Sequence, residues 1–383
     1  MIITLFRQSD VPDPYRIYAE QLLNNPVYWD GENKLWALYS YKACKEILSN
    51  PAALVPQVAT EGLNDYALAI TGGLARLSNA PGHAVARKAA LLMFQRMKPV
   101  SARDIMHALL PPQAAPETDW VNAVAGKLPV MTILAGFEIE SPAAEFIAGR
   151  MQTLVQLMQP VKTGVQIPAV NTVAKDIYYL LEHHITSTHF LTPVIDALVS
   201  TCLVSKDEAL TLCISNLAGL LIQSYDAGRG ILSNALLHLF QSPDLSLQSI
   251  NDHYLQQCVT ETLRFDPPVH STRRIAGEDM VIGAHEIKKG QMILVVMAAA
   301  NRDAQQFEHP GQYDIARFNN DTHLTFGFGM HACMAKAFVT QLATETLQAL
   351  CADYPNTRLA EATIEYEPLV NVRLPKQMLI ELS

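Results

Sequence analysis

The chain has 383 residues, Lys+Arg 28 against Asp+Glu 37, and a formal charge of 28 − 37 = −9; 49% of residues are apolar and 17% are charged. This excludes a disordered chain and leaves room for one deep core enclosing a bulky ligand. A negative balance without a strong basic patch gives phosphate backbones and anionic lipid nothing to bind, so neither nucleic acid nor a membrane is an expected partner.

Six scattered cysteines, Cys44, Cys202, Cys213, Cys258, Cys333 and Cys351, include no Cys-x-x-Cys pair and read as reduced thiols. No basic region followed by an apolar stretch opens the chain, so a cytoplasmic location is expected. The apolar run Ala209 to Ile222 is broken by Ser215 and Asn216 and falls short of the ~20 residues of a membrane span, which makes it a buried helix.

Apolar spacing predicts a helix over Pro14 to Asn24, a hairpin from Val27 through the turn Gly31-Glu-Asn to Tyr39, and a second helix ending at Asn50. Helical periodicity dominates from Ala84 to Arg264, with breaks at Pro99, Pro111-Pro112, Pro142, Pro160, Pro168 and Pro193. Ser205-Lys-Asp-Glu208 is a capping box that opens a helix running to about Phe240. After Asp266-Pro-Pro268 the pattern turns to short strands, Arg273 to Ala276, Met280 to Ile282 and Gln291 to Val296. An irregular stretch, Asn301 to Ala332, precedes a final helix over Met334 to Tyr354 and a C-terminal strand pair. No repeat or linker is visible, so 1–383 reads as one mainly α domain with small β-sheets.

Chemistry concentrates in Phe326-Gly-Phe-Gly-Met-His-Ala-Cys333, immediately before the final helix. Two glycines let backbone approach a flat ligand, and a cysteine before a helix has its thiolate stabilised by the helix dipole, making it a soft ligand for iron. A lone cysteine in that position is otherwise an inert buried thiol, so the surrounding spacing decides. Glu261 and Arg264 stand three apart on one helix face, a common pairing on its own. They are followed in order by Arg274, Ala300-Asn-Arg-Asp303 and Tyr313-Asp-Ile-Ala-Arg317-Phe, and preceded by Asn79-Ala-Pro81-Gly-His83-Ala-Val-Ala-Arg87.

With these motifs in this order, the chain resembles a soluble bacterial cytochrome P450, a haem-thiolate protein, over essentially its whole length. The resemblance implies the P450 fold and haem b as cofactor, with Cys333 as axial thiolate and Phe326 beside the haem. His83, Arg87, Arg274 and His331 match the positions that bind the propionates; Glu261, Arg264 and Arg317 match the buried cluster behind the cysteine loop. On the distal helix the family carries Ala/Gly-Gly-x-Asp/Glu-Thr, and here Gln223-Ser224-Tyr225-Asp226-Ala227 keeps the acid but loses the alcohol. Ser224, Gln223, a water or a polar group of the substrate is expected to do the threonine's work, with Asp226 heading the proton path. Gln223 alternatively satisfies a kink near Gly228 and Gly230. Ala335, Lys336 and Thr340 depart from the commoner glycine, alanine and arginine.

Similarity also assigns Leu54 to Leu77 as a loop over the pocket and Gln156 to Asn171 as a lid, with Leu220 to Ala227 on the distal helix. Val269, His270, Ser271, Val296, Met297, Leu369, Val370 and Asn371 complete the substrate-facing set, although His270 reads more readily as a solvent-facing strand histidine. The implied activity inserts one oxygen atom of O2 into a small or medium apolar molecule, by hydroxylation or epoxidation in specialised metabolism. No flavin or nicotinamide motif is visible, so electrons are expected from an external ferredoxin and ferredoxin reductase, with Arg96, Lys98, Arg103 and Lys336 able to face an acidic partner. Two rivals stand beside it: a peroxide-driven or non-redox haem-thiolate enzyme, motivated by Ala227, and a non-catalytic haem-binding module that recruits a substrate-presenting carrier protein.

Overall fold

The structure, a computed structural model, describes residues 4–110, 117–159, 162–241, 250–361 and 363–383. The fold is mainly α, with three small sheets among the described residues. The chain gathers into two compact units, one of Met1–Leu54, Ala102–Leu128 and Asp226–Ser383, the other of Val55–Ser101 and Pro129–Tyr225.

The first unit is organised by a five-stranded sheet in the order Val27–Asp30, Leu35–Leu38, Met292–Val295, Thr272–Ala276, Ala53–Leu54. The hairpin at its edge forms because the Asp30 carboxylate accepts the backbone N–H groups of Glu32 (3.0 Å) and Asn33 (2.9 Å), which closes the turn. Its second strand then runs parallel to Met292–Val295, with Leu35 opposite Met292 and Leu38 opposite Val295. A separate helical layer packs Ala102–Leu109, Asp252–Phe265 and Lys336–Asp353 around a core that includes Met106, Trp120, Val259, Leu347 and Ile380. The expected C-terminal strand pair has a third member. Leu379–Glu381 lies between Arg358–Leu359 and Glu117–Asp119, a three-residue strand too short and polar to show alternation.

In the second unit, Asp65–Gly72 packs on Gln166–Thr188 and Gly82–Arg96 on Thr192–Cys202. The segment expected as a loop over the pocket is therefore partly helical. Asn64 joins it to the segment expected as a lid: its backbone N–H reaches the Asn171 side-chain oxygen (2.9 Å) and its amide the Asn171 carbonyl (3.0 Å). Pro142 and Pro193 stand in the first turns of Ser141–Ala148 and Thr192–Cys202, where the missing N–H costs nothing. Pro168 falls inside the first turn of Gln166–Thr188 rather than breaking a helix, and Pro111, Pro112 and Pro160 lie outside the described residues.

The long helix Lys206–Phe240 opens on the expected capping box. Ser205 N–H donates to the Glu208 carboxylate (2.8 Å), and Glu208 N–H donates to the Ser205 hydroxyl (3.1 Å). Between Cys213 and Leu237 its burial is interrupted at Leu220 and over the run Gln223–Ala227. Gly230 has a packing reason, because a Cβ there would lie 2.4 Å from Cβ of Pro268. Gly230→Ala gains roughly 1 kcal/mol of helix propensity but must displace a rigid ring, an overpacking cost of about 1–3 kcal/mol. The expected outcome is a lower urea midpoint with an unchanged slope.

Candidate functional site

The helix Asp252–Phe265 ends by burying two charges. Glu261 and Arg264 are both 0% exposed, and desolvation at that level is tolerated only if every polar atom finds a partner. All five guanidinium donors of Arg264 do. Nε and Nη2 reach the two Glu261 oxygens (2.9 and 2.6 Å), Nη1 reaches the carbonyls of Asn301 (2.9 Å) and Pro310 (3.1 Å), and Nη2 also reaches that of Gln312 (3.0 Å). Glu261 additionally accepts Asp314 N–H (3.0 Å) and faces Arg317 Nε at 3.5 Å. Arg317 donates onward to the carbonyls of Glu308, His309 (3.3 Å) and Gln312 (3.2 Å). The three residues expected to cluster therefore do so, and they hold an irregular segment by its carbonyl groups.

Asn301 carries this order to the cysteine loop. Its side-chain oxygen accepts Leu324 N–H (2.7 Å) and its amide donates to the Thr325 hydroxyl (2.8 Å), which in turn donates to the Leu263 carbonyl. Gly327 N–H then bonds to Leu324 O (2.8 Å), and Cys333 N–H to Phe326 O (2.8 Å), closing the loop onto itself. Gly327 and Gly329 sit at φ +70° and +71°, and a Cβ on Gly329 would lie 2.5 Å from the Leu48 carbonyl oxygen. Phe326 packs against the helical core with its ring 5.6 Å from that of His323. Cys333 emerges exposed, whereas Cys44, Cys213, Cys258 and Cys351 are buried. Burial pushes all four of those thiols up, Cys213 to about 12 and Cys351 to about 11.

Of the expected propionate partners, Arg274 is buried on the strand Thr272–Ala276, and His331 ends the turn Gly329–His331 in the same unit. His83 and Arg87 belong to the helix Gly82–Arg96 of the second unit. On the long helix, the Gln223 amide donates to Gly219 O (2.9 Å) and the Ser224 hydroxyl to Leu221 O (2.9 Å), so both side chains bond to their own helix. Asp226 and Ala227 follow in the half-open run. Burial pushes the Asp226 carboxyl up; Arg229 opposes this and Glu367 reinforces it. Val296 is buried, Val269 and Leu369 are half-buried, and Val370 is exposed.

His270 corrects the solvent-facing expectation. It is wholly buried, with its ring nitrogens 3.2 Å from the Tyr15 hydroxyl and 3.0 Å from that of Tyr18. The basic residues expected to meet a partner also have neighbours within the chain: Arg96 bonds to Phe190 O, Lys98 to Glu138, Arg103 to Asp353 and Lys336 to Asp321 O.

A family model for cytochrome P450 matches residues 241–349, the stretch that holds the charge cluster and the cysteine loop. That segment is similar to the cytochrome P450 family, and the chain spans less than half the length of the first curated relatives it matches. Among curated relatives, the chain is 31% identical over 176 residues to the biotin biosynthesis cytochrome P450 of Bacillus subtilis, an alignment spanning 46% of this chain and 43% of that protein. Cytochrome P450 144 of Mycobacterium tuberculosis is 22% identical over 91% of this chain and 84% of its own length. The crystal structure of P450BioI with an acyl carrier protein ligated to hexadec-9Z-enoic acid shares the fold, with a TM-score of 0.82 at 22% identity, covering 97% of this chain and 99% of that one.

The likeness to cytochrome P450 implies a haem-iron cofactor. The residues present fit such a group: an exposed sulfur donor, Gly327 and Gly329 at positive φ in the loop before it, and Arg274 as a buried cation in the same unit. Reading the sequence missed Asn301 and Thr325 as supports of the loop, although Asn301 lay in a quoted motif. It also missed Arg229, whose spacing from Asp226 was visible, and Glu367, which carried no signal.

Arg264→Lys keeps the charge but loses the five-donor fork, leaving buried carbonyls unpaired. A loss of roughly 3–5 kcal/mol, in the range for a broken buried pair, is expected in urea unfolding of this protein. A second expectation concerns pH. Burial lowers His270 and His323 to about 3. The unfolded imidazoles take up a proton near pH 6.5, so between those values the unfolded state binds protons that the native state does not. Stability therefore falls as pH drops through that window, by up to about 1.4 kcal/mol per pH unit for each histidine. His323→Asn should show a shallower pH dependence in denaturation at pH 4.5 to 6.5 than the parent.

Proposed function

We propose that this protein is a haem-thiolate monooxygenase, holding haem b through the Cys333 sulfur and inserting one oxygen atom of O2 into a small or medium apolar molecule. The reading is carried by the accessible sulfur of Cys333 on a glycine loop fixed by the Glu261, Arg264 and Arg317 cluster. When bound, the haem supplies oxygen activation, and a thiolate ligand favours cleavage of the O–O bond. The chain's own residues do the rest. His83, Arg87, Arg274 and His331 bind the propionates, Phe326 backs the cofactor, and Val269, Val296, Leu369 and Val370 shape an apolar substrate site, with His270 behind them.

Asp226 is the proton-handling group, since its carboxyl is pushed up by burial toward the range where it can hold and release a proton. Electrons come from a ferredoxin and its reductase in the cytoplasm, and the reaction belongs to specialised metabolism. The acyl carrier protein complex of P450BioI supports a carrier-presented substrate as a variant of this reading. A peroxide-driven reaction is the second reading, favoured because Ala227 has no side-chain donor and the Ser224 hydroxyl is committed to Leu221 O.

The reduced carbon-monoxide difference spectrum tests the assignment: the parent protein should show the thiolate-type ferrous carbonyl band, and Cys333→Ser should lose it. Persistence of the parent spectrum in the variant would overturn the haem-thiolate reading. Parallel turnover with ferredoxin, reductase and NADPH or with peroxide separates the two catalytic readings.

A further inference from the structure

Past Asp226 the long helix carries a second charge, Arg229, whose side chain is nine-tenths buried and whose neighbours are two carboxylates. Its Nη1 lies 3.2 Å from Glu367 Oε1, and its Nη2 lies 3.5 Å from Asp226 Oδ1. The guanidinium is thus shared: it hydrogen-bonds to Asp226 and makes the shorter ion pair with Glu367. The stem of Arg229 is confined as well, because a Cβ on Gly126 would lie 3.6 Å from its Cδ. Glu367 is fixed by the turn that carries it: its N–H donates to Leu374 O (3.1 Å), and its own carbonyl accepts Leu369 N–H (2.8 Å). That turn is closed from the other side by Gln8, whose N–H donates to Leu369 O (2.8 Å).

We propose that Arg229 and Glu367 are positioning residues for Asp226, a clamp that sets how readily its carboxyl takes up a proton and ties that property to the turn carrying Leu369 and Val370. The proposal deepens the monooxygenase reading and rests on it for the role of Asp226. The physical basis is a charge imbalance. One guanidinium faces two half-buried carboxylates, so the group is neutral when one carboxylate holds a proton and carries a net negative charge when neither does. The proposal places the shared proton on Asp226, whose carboxyl is pushed up by burial, a shift that Arg229 opposes and Glu367 reinforces. The charged groups facing Asp226 are Arg229 from its own helix and Glu367 from the C-terminal turn, and they act in opposite directions on its carboxyl.

A ligand that displaces Leu369 or Val370 moves the backbone bonded to Glu367, and with it the anion that draws Arg229 away from Asp226. Substrate occupancy and proton supply are linked through three side chains, without any change in the cysteine loop.

The test uses the full-length holoprotein. Its ferrous carbonyl band is recorded first; that result judges the haem-thiolate reading alone. On the same preparation, infrared difference spectroscopy follows the Asp226 carboxyl band against pH, with Asp226→Asn identifying the band. Glu367→Gln should shift the midpoint down, Arg229→Gln should shift it up, and Arg229→Lys should restore it toward the parent. Product formed per NADPH consumed should fall in Arg229→Gln and recover in Arg229→Lys. Where Arg229→Gln does not fold, Glu367→Gln decides alone, since it leaves the buried cation in place. A midpoint that stays put in Glu367→Gln, or one that moves the same way in both neutralising variants, overturns the clamp even where the carbonyl band is normal.

Discussion

The pairing of Glu261 with Arg264 is the interaction on which the rest of the site depends, because it makes an irregular chain segment behave as a rigid one. Between the short helix Met297–Ala300 and the helix Lys336–Asp353 there are only brief helical turns among the described residues, so most backbone carbonyls there have no ladder to join. Two guanidiniums supply the missing donors. Removing two ions from water costs several kcal/mol each, and that cost is tolerated because no donor of Arg264 is left over. The cluster replaces secondary structure, and the cysteine loop inherits its position through Asn301 and Thr325.

The long helix presents the opposite arrangement. It is buried over most of its length, and its charged pair lies at the end of one half-open run and in the turn that follows. Gln223 and Ser224 turn their polar atoms onto backbone carbonyls of their own helix, whereas Asp226 meets a charged side chain, Arg229, that also pairs with Glu367. On the proposed reading, the proton-handling problem left by Ala227 falls to side chains around the acid rather than to the residue beside it.

Much of this was legible in the sequence where a local rule carried it. The capping box at Ser205 and Glu208, the hairpin around Asp30 and the i,i+3 pair Glu261–Arg264 all depend on neighbours in the chain, and each forms as read. Features that failed to show depend on remote partners. His270 sits on a strand-like run, and nothing local says that Tyr15 and Tyr18 will bury it. Glu367 is an unremarkable acid until the turn brings it to Arg229. Gly230 looked like a weak point in a helix, and the close approach of Pro268 gives it a packing role instead.

The sheet pairs strands that the chain numbers 35–38 and 292–295, and the smaller sheet joins 117–119 to 379–381. Neither pairing can form until the later strand of each pair has been made. Such non-local closure slows folding and prolongs exposure of apolar surface. The earlier strands therefore keep open edges and uncovered apolar faces until their late partners arrive, the stage at which such a chain is most exposed to aggregation.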